Sequence, residues 1–383
     1  MRKISIIINN ALAKREILCT PLFDILRNNP ENEITIFTQP RDFIKTHHVK
    51  GVKIHSYQYL LWLRKIGVKR FSIVFWAYRI FGIAKSDIII VASWIDMELI
   101  RVIKLAQRLG TPVLFLQEGI GNPWESYPVD IYPDKLLVWS DIAKAAYIKR
   151  GIEPERIVVT GQPRLDWYAK PHENDGFSKA KGKKALLYAT QPLWKEPKRF
   201  IDGAGIVEKT FDIVYRVSRK LDLQLVCKLH PSDKPDFYKR EGVMILEETG
   251  TDPKNYKKWY CNTGFDPGVD DMKRLRDIIL SSDLVVTMFS TVGLEAMIAG
   301  KPVIFLDIAN YAKKEPVSRS LAENASFAFA SSEEQFEGLV VKYINNPGVD
   351  KDKRDSAVYS LAYKQDGIAS QRIADIVGES LKY

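Results

Sequence analysis

The chain has 383 residues, of which 46% are hydrophobic and 27% charged, and its formal net charge is +10. That length supports two domains with cores of their own, and the composition excludes a disordered or fibrous protein. The basic balance suits partners such as phosphates, acidic sugars or anionic lipids.

Residues 4–8 predict a first buried strand, because the apolar run is too short for a signal-peptide core. A helix near 22–28 and a strand at 33–37 follow. In 59–85, Trp62, Phe71, Phe75, Trp76, Tyr78 and Phe81 mix with Arg64, Lys65, Lys69, Arg70 and Arg79. This stretch reads as core packing or as a contact with an anionic lipid surface. Its most apolar part, 71–84, falls short of the ~20 apolar residues of a spanning helix. Residues 87–92 predict a strand, 96–109 a helix and 112–116 a strand. Strands at 135–139 and 157–160 flank a helix at 142–150. Near-continuous apolar strands alternating with helices imply a parallel sheet covered on both faces.

Residues 1–168 are therefore expected to form one domain, and the polar stretch 169–184 a linker. The alternation restarts in 185–368, with strands at 185–189, 224–229, 243–246, 284–287 and 303–306 and a helix near 207–221. Residues 369–383 predict a last helix crossing back to the first domain.

Ligands of open parallel sheets bind beyond the carboxyl ends of the strands, and polar clusters sit there. In DLVVTMFSTVGLEAMIAGKPVIFLD, residues 283–307, an apolar strand runs into Ser290, Thr291 and Gly293 at the start of a short helix. A Ser or Thr cap with the helix dipole makes a phosphate site, and Gly293 lets a ligand approach the backbone. Glu295, one turn on, is placed to accept hydrogen bonds from ribose hydroxyls. An ordinary capped strand–helix–strand unit is the alternative.

The strand before KLHPS ends at Pro231. There Lys228 and His230 suit a phosphate, and His230 can protonate a leaving oxygen. A packing histidine is the alternative. QEGIG presents Glu118, beside Gly119, as a general base for an acceptor hydroxyl, or as a solvated turn residue. Two Gln-Pro elements, Gln162-Pro163-Arg164 and Gln191-Pro192, end the strands on either side of the linker. They are expected to line an interdomain cleft, with Arg164 pairing with a substrate carboxylate; turn chemistry is the alternative.

Three scattered cysteines, Cys19, Cys227 and Cys261, exclude a disulfide framework and fit a reducing cytosol. No Walker sequence, glycine-rich dinucleotide fingerprint or metal-ligand histidine spacing occurs, so neither metal nor cofactor is expected. Zinc-finger spacing and RNA-binding aromatic motifs are absent too, which argues against nucleic acid. Asp350 and Asp352 lie in a Pro/Gly/Lys-rich segment and read as solvated surface.

FSTVGLEAMIAGKPVI after an apolar strand resembles the donor domain of GT-B glycosyltransferases. The resemblance implies an α/β chain of two Rossmann-like, doubly wound parallel-sheet domains facing a central cleft. It also implies a nucleotide-sugar co-substrate and no bound metal. QEGIG, KLHPS and FST, in that order, resemble the motifs of bacterial transferases that use CMP-linked sialic acid. TQP together with KLHP is similar to capsular transferases that use CMP-Kdo.

These likenesses imply Glu118 as the base, His230 on the CMP phosphate, and Ser290 and Thr291 on the nucleotide. Gln117 stands where the sialyltransferases carry a second carboxylate. VVTGQPRLD resembles a segment of non-hydrolysing UDP-N-acetylglucosamine 2-epimerases, and the His-Pro element is similar to that of CDP-glycerol transferases. The expected function is sugar transfer from a nucleotide sugar to a cell-surface polysaccharide or lipid-linked acceptor. A CMP-linked acidic sugar stands ahead of a UDP-sugar as donor. The expected place is the cytoplasm, with 59–85 on the inner membrane face. An epimerase-like isomerase and a CDP-glycerol-type polyol-phosphate transferase are the alternatives.

Overall fold

The computed structural model describes residues 1–8, 15–38, 52–56, 85–92, 97–117, 133–171, 176–195, 200, 202–230, 233, 235–246, 268–311 and 321–381. The chain divides into two compact units. Unit 1 comprises Met1–Ala169, Tyr260–Val269 and Ala362–Tyr383; unit 2 comprises Lys170–Trp259 and Asp270–Leu361.

Unit 1 runs β1 (Arg2–Ile8), α1 (Pro21–Asn28), β2 (Asn32–Thr38), β3 (Lys53–Ser56), β4 (Ile88–Ala92), α2 (Met97–Arg108), β5 (Val113–Leu116), β6 (Lys135–Val138), α3 (Asp141–Lys149) and β7 (Ile157–Val159). Its sheet has the order β3-β2-β1-β4-β5-β6-β7, and its pairings are parallel. All five residues of β4, IIIVA, are buried, as a strand covered on both faces requires. Alternation splits the strands between two cores. Ile4, Ile6, Ile88 and Ile90 pack with Leu22 and Leu26 of α1. Ile7, Ile89 and Val91 pack with Ile103 of α2 and Tyr147 of α3.

Unit 2 runs β8 (Ala185–Ala189), α4 (Gly203–Lys220), β9 (Gln224–Lys228), β10 (Val243–Leu246), α5 (Val269–Ser281), β11 (Leu284–Thr287), α6 (Thr291–Ile298), β12 (Val303–Leu306), β13 (Phe329–Ala330), α7 (Glu333–Asn345) and α8 (Lys351–Ala362). Its sheet has the order β10-β9-β8-β11-β12-β13, again parallel. Both sheets thus follow the doubly wound order, with the first strand central and the strand order reversing beside it. Residues 176–184 lie along unit 2: the Gly176 N–H donates to Ser281 Oγ (2.9 Å) and the Ala180 N–H to Gln224 Oε1 (2.7 Å).

The last helix, α9 (Ala369–Ser380), belongs to unit 1. Ile373 and Val377 enter the core formed by Ile4, Leu22 and Ile88. Asp166 caps its first turn, accepting from the backbone N–H of Ala369 (3.0 Å) and Ser370 (2.7 Å). Burial pushes the Asp166 carboxyl above the ordinary range; the bonds to Ser370 and Ala369 and the nearby Arg372 pull the other way.

One expectation needs correction. Asp350 is not solvated surface. Its side chain is 8% exposed and accepts hydrogen bonds from Lys342 Nζ (2.5 Å) and Tyr343 Oη (3.2 Å). α7 supplies both donors, and Asp350 itself takes a left-handed φ of 58° just before α8. Asp352 is exposed on α8. Among the described residues no helix is long and apolar enough to cross a membrane. Apart from Lys85, the aromatic and basic stretch 59–85 lies outside the described residues.

Candidate functional site

The sheet of unit 2 reverses strand order between β8 and β11. Chain leaving these two strands diverges, so a crevice opens beyond their carboxyl ends. Three polar segments emerge there: Thr190-Gln191-Pro192 after β8, His230 just beyond β9, and Ser290-Thr291 just beyond β11.

The first segment ties the other two together. Thr190 Oγ1 accepts the backbone N–H of His230 at 2.8 Å. Gln191 Oε1 accepts the backbone N–H of Phe289 at 2.8 Å, beside Ser290. The TQP stretch therefore fixes the histidine turn on one side and the α6 entrance on the other. Gln191, Pro192, His230, Ser290 and Thr291 are all half-buried, so each keeps part of its surface open.

Ser290 is the N-cap of α6, extended at φ −83°, and its Oγ accepts the Val292 N–H at 3.2 Å. The first-turn N–H groups and the positive end of the helix dipole favour an anion there. Gly293 serves a different purpose from the one expected. A Cβ at this position would lie 2.4 Å from a ring carbon of Phe305 and 3.3 Å from Thr287 Cγ2. The absent side chain makes room for Phe305 of β12. Glu295 is 3% exposed, one turn further along α6. Lys228, the last residue of β9, is 8% exposed.

A buried polar layer supports the site. Asp233 accepts from Tyr238 Oη (2.8 Å) and Trp194 Nε1 (3.2 Å), and its N–H donates to the His230 carbonyl (2.8 Å). Burial, with Asp233 nearby, pushes the phenols of Tyr188 and Tyr238 and the thiol of Cys227 upward. Cys227 therefore stays a neutral thiol and is no nucleophile. Asp233, Tyr238 and Trp194 were not singled out from the sequence. The signal available was a carboxylate three residues after His230.

The other predicted residues separate from this group. Glu118, Gly119 and Pro231 lie outside the described residues. Gln117, at the point where a second carboxylate was sought, is a brace: its Oε1 accepts the Trp139 N–H (3.1 Å) and its carbonyl accepts Trp139 Nε1 (2.9 Å). Gln162 and Arg164 belong to unit 1 and are 2% and 3% exposed. Gln162 hydrogen-bonds Glu16, which is fully buried, and Arg164 Nε lies 3.6 Å from the same carboxylate.

Gly161, with φ +76°, lies under α9, where Arg372 Nε donates to the Thr160 carbonyl (2.8 Å). A Cβ on Gly161 would meet Arg372 at 3.3 Å. With Asp166 capping α9, the GQPRLD segment holds unit 1 together. The expectation that Arg164 awaits a substrate carboxylate is corrected: its partner is an internal one. Glu16 gave no signal in the sequence, since Gln162 stands 146 residues away. Among the described residues, no three His, Cys, Asp or Glu side chains group as metal ligands.

Two parallel doubly wound units, with a phosphate-suited helix start at the switch point of the second, define a GT-B-like α/β protein. The sequence pattern of the family described as CDP-Glycerol:Poly(glycerophosphate) glycerophosphotransferase matches residues 131–379. The chain belongs to this family of transferases. It is 22% identical over 257 residues to a teichoic acid poly(ribitol-phosphate) polymerase of Bacillus spizizenii, a match covering 63% of this chain and 36% of that protein. The chain thus spans little more than a third of the length of the curated relative it matches.

Among solved structures, a Staphylococcus aureus MnaA–UDP co-structure aligns with a TM-score of 0.64 at 16% identity, over 100% of this chain and 97% of that one. A variant of the wall teichoic acid polymerase TagF aligns with a TM-score of 0.61 at 13% identity, over 100% and 89%. At such identities these two likenesses speak for the fold alone.

Proposed function

We propose that the protein transfers a polyol-phosphate unit from a CDP-linked donor, such as CDP-glycerol, to a hydroxyl of a growing cell-surface polymer. The observation that carries this reading is the single hydrogen-bonded assembly of Thr190, Gln191, His230 and the Ser290 cap, in a chain of the glycerophosphotransferase family. Family membership favours the polyol-phosphate alternative over a CMP-linked acidic sugar. The cytidine and phosphate chemistry asked of the site is common to both.

In the proposed reaction the acceptor oxygen attacks the β-phosphorus. A new O–P bond forms as the P–O bond to CMP breaks, and the acceptor proton passes to a base. Negative charge grows on the departing CMP phosphate. The α6 start meets that charge, and His230 donates to the leaving oxygen. Glu295 and Lys228 are assigned to the ribose and the phosphate. Gln191 and Pro192 shape the donor pocket. Glu118, beside Gly119, remains the candidate base from the sequence.

The test is ligand-induced stabilisation by CDP, CMP and UDP, with CMP release from CDP-glycerol in the presence of a glycerophosphate acceptor. CDP at about 100 times its Kd raises stability by ~2.7 kcal/mol. His230→Ala abolishes CMP release. Stabilisation by UDP alone, or epimerisation of UDP-N-acetylglucosamine without acceptor, would overturn the reading.

A further inference from the structure

Asp233 has no exposed surface. Burying a carboxylate is costly unless donors surround it. Here they come from two different strand ends. Trp194 Nε1 (3.2 Å) belongs to the Leu193–Lys195 turn after β8, and Tyr238 Oη (2.8 Å) to the Pro235–Tyr238 turn after β9. Tyr238 is itself held rigidly, its ring edge-on to Phe211 with centroids 5.2 Å apart.

Two hydrogen bonds hold the His230 backbone. Thr190 Oγ1 accepts the His230 N–H, and the Asp233 N–H donates to the His230 carbonyl, each at 2.8 Å. The backbone of His230 is thereby fixed at its nitrogen and its oxygen while its side chain stays half-exposed. A fold needing only packing here would be served as well by apolar side chains, since buried polar networks add little net stability. Such a network does specify one orientation.

We propose that Asp233 is a positioning residue: its carboxylate, held by Trp194 and Tyr238, fixes the turn that aims His230 at the donor's phosphates. This rests on the donor-site reading above. The positioning itself can be read without any ligand.

The experiment uses the full chain with 13C-labelled histidine. The chain has five histidines, and loss of one resonance in His230→Gln assigns the one of interest. In Asp233→Ala the His230 ring signal is expected to shift or broaden while the other four hold. CDP affinity should fall about tenfold. In Asp233→Asn both should return close to wild type. The amide oxygen can accept from Trp194, and the amide NH2 can donate to Tyr238, whose proton then turns elsewhere.

An unmoved His230 signal in Asp233→Ala overturns the proposal, as does an Asn variant no better than the Ala variant. If Asp233→Ala fails to fold, Tyr238→Phe and Trp194→Phe each remove one donor. An unmoved His230 signal in both then overturns it. Failure of the donor-site reading looks different: His230→Gln binds CDP as well as wild type, whatever Asp233 does to the ring signal.

Discussion

Gly293→Ala decides between two purposes for that glycine, and the structure gives the magnitude. The added Cβ would stand 2.4 Å from one ring carbon of Phe305 and 2.6 Å from another. Ordinary carbon contacts are about 3.5–4.0 Å, so the ring would have to retreat by about 1 Å or more. It has nowhere to go: Phe305 is fully buried on β12 and stacks on Phe329 with centroids 4.9 Å apart. Overpacking of this kind costs about 1–3 kcal/mol, and the better helix propensity of alanine returns up to ~1. A net loss of up to about 2 kcal/mol follows. Chemical denaturation measures it, and hydrogen exchange in α6 and β12 assigns it to unit 2. In a Phe305→Leu background the same change should become neutral or stabilising, because the clash is gone and the propensity gain remains. The reasoning is refuted if Gly293→Ala keeps full stability yet loses nucleotide binding, for then the glycine serves a ligand's approach.

Two further outcomes follow from hydrogen bonds on the same two units. Asp166→Ala removes both acceptors from the α9 cap and should cost about 2 kcal/mol, seen as faster amide exchange in 369–380; unchanged exchange there would count against the cap. Asp283 is held by the Ala185 N–H (2.8 Å) and Lys179 (2.9 Å), which together with Lys184 outweigh burial and lower its carboxyl. A lowered folded value means stability present above the ordinary carboxylate range and lost as pH falls through the folded value. Asp283→Asn should therefore lie ~1 kcal/mol below wild type near neutral pH, and urea titrations in strong acid should find the gap closed. A gap independent of pH would exclude this origin.

The strands were legible where they bury every residue: β8 reads ALLYA and β4 IIIVA, with no polar interruption. β3 was missed because it is an edge strand whose Lys53 and Ile54 face solvent, leaving no apolar run. α8 was missed for a related reason. KDKRDSAVYSLA opens on five charged residues, and the first it buries is Arg354, which donates to the Pro347 and Val349 carbonyls, so its apolar stripe, Ala357, Val358, Leu361 and Ala362, is confined to the second half. Within the candidate site, His230 and Ser290 announced themselves by standing at the ends of apolar strands. Asp233 and Glu16 did not. Their meaning lies in partners such as Trp194 and Gln162, 39 and 146 residues away, which no local pattern encodes.

The two Gln-Pro elements show why position in the sheet, more than the motif, decides what such a segment does. Each glutamine makes a bond within its own unit, Gln162 to Glu16 and Gln191 to the Phe289 N–H. Gly161-Gln162-Pro163 follows β7, an edge strand, and α9 lies over it: Gln162, Arg164 and Asp166 are 2%, 3% and 4% exposed. Thr190-Gln191-Pro192 follows β8, the strand beside which the order reverses, and Gln191 and Pro192 stay half-exposed. An edge-strand end can be closed by a helix, and its polar groups then satisfy one another. At a reversal the neighbouring connections leave in opposite directions, so a crevice opens beyond the strand end and the segment there keeps part of its surface exposed. Read as a string, the two elements are alike; their places in the two strand orders leave Gln191 beside the crevice and bury Arg164 against Glu16.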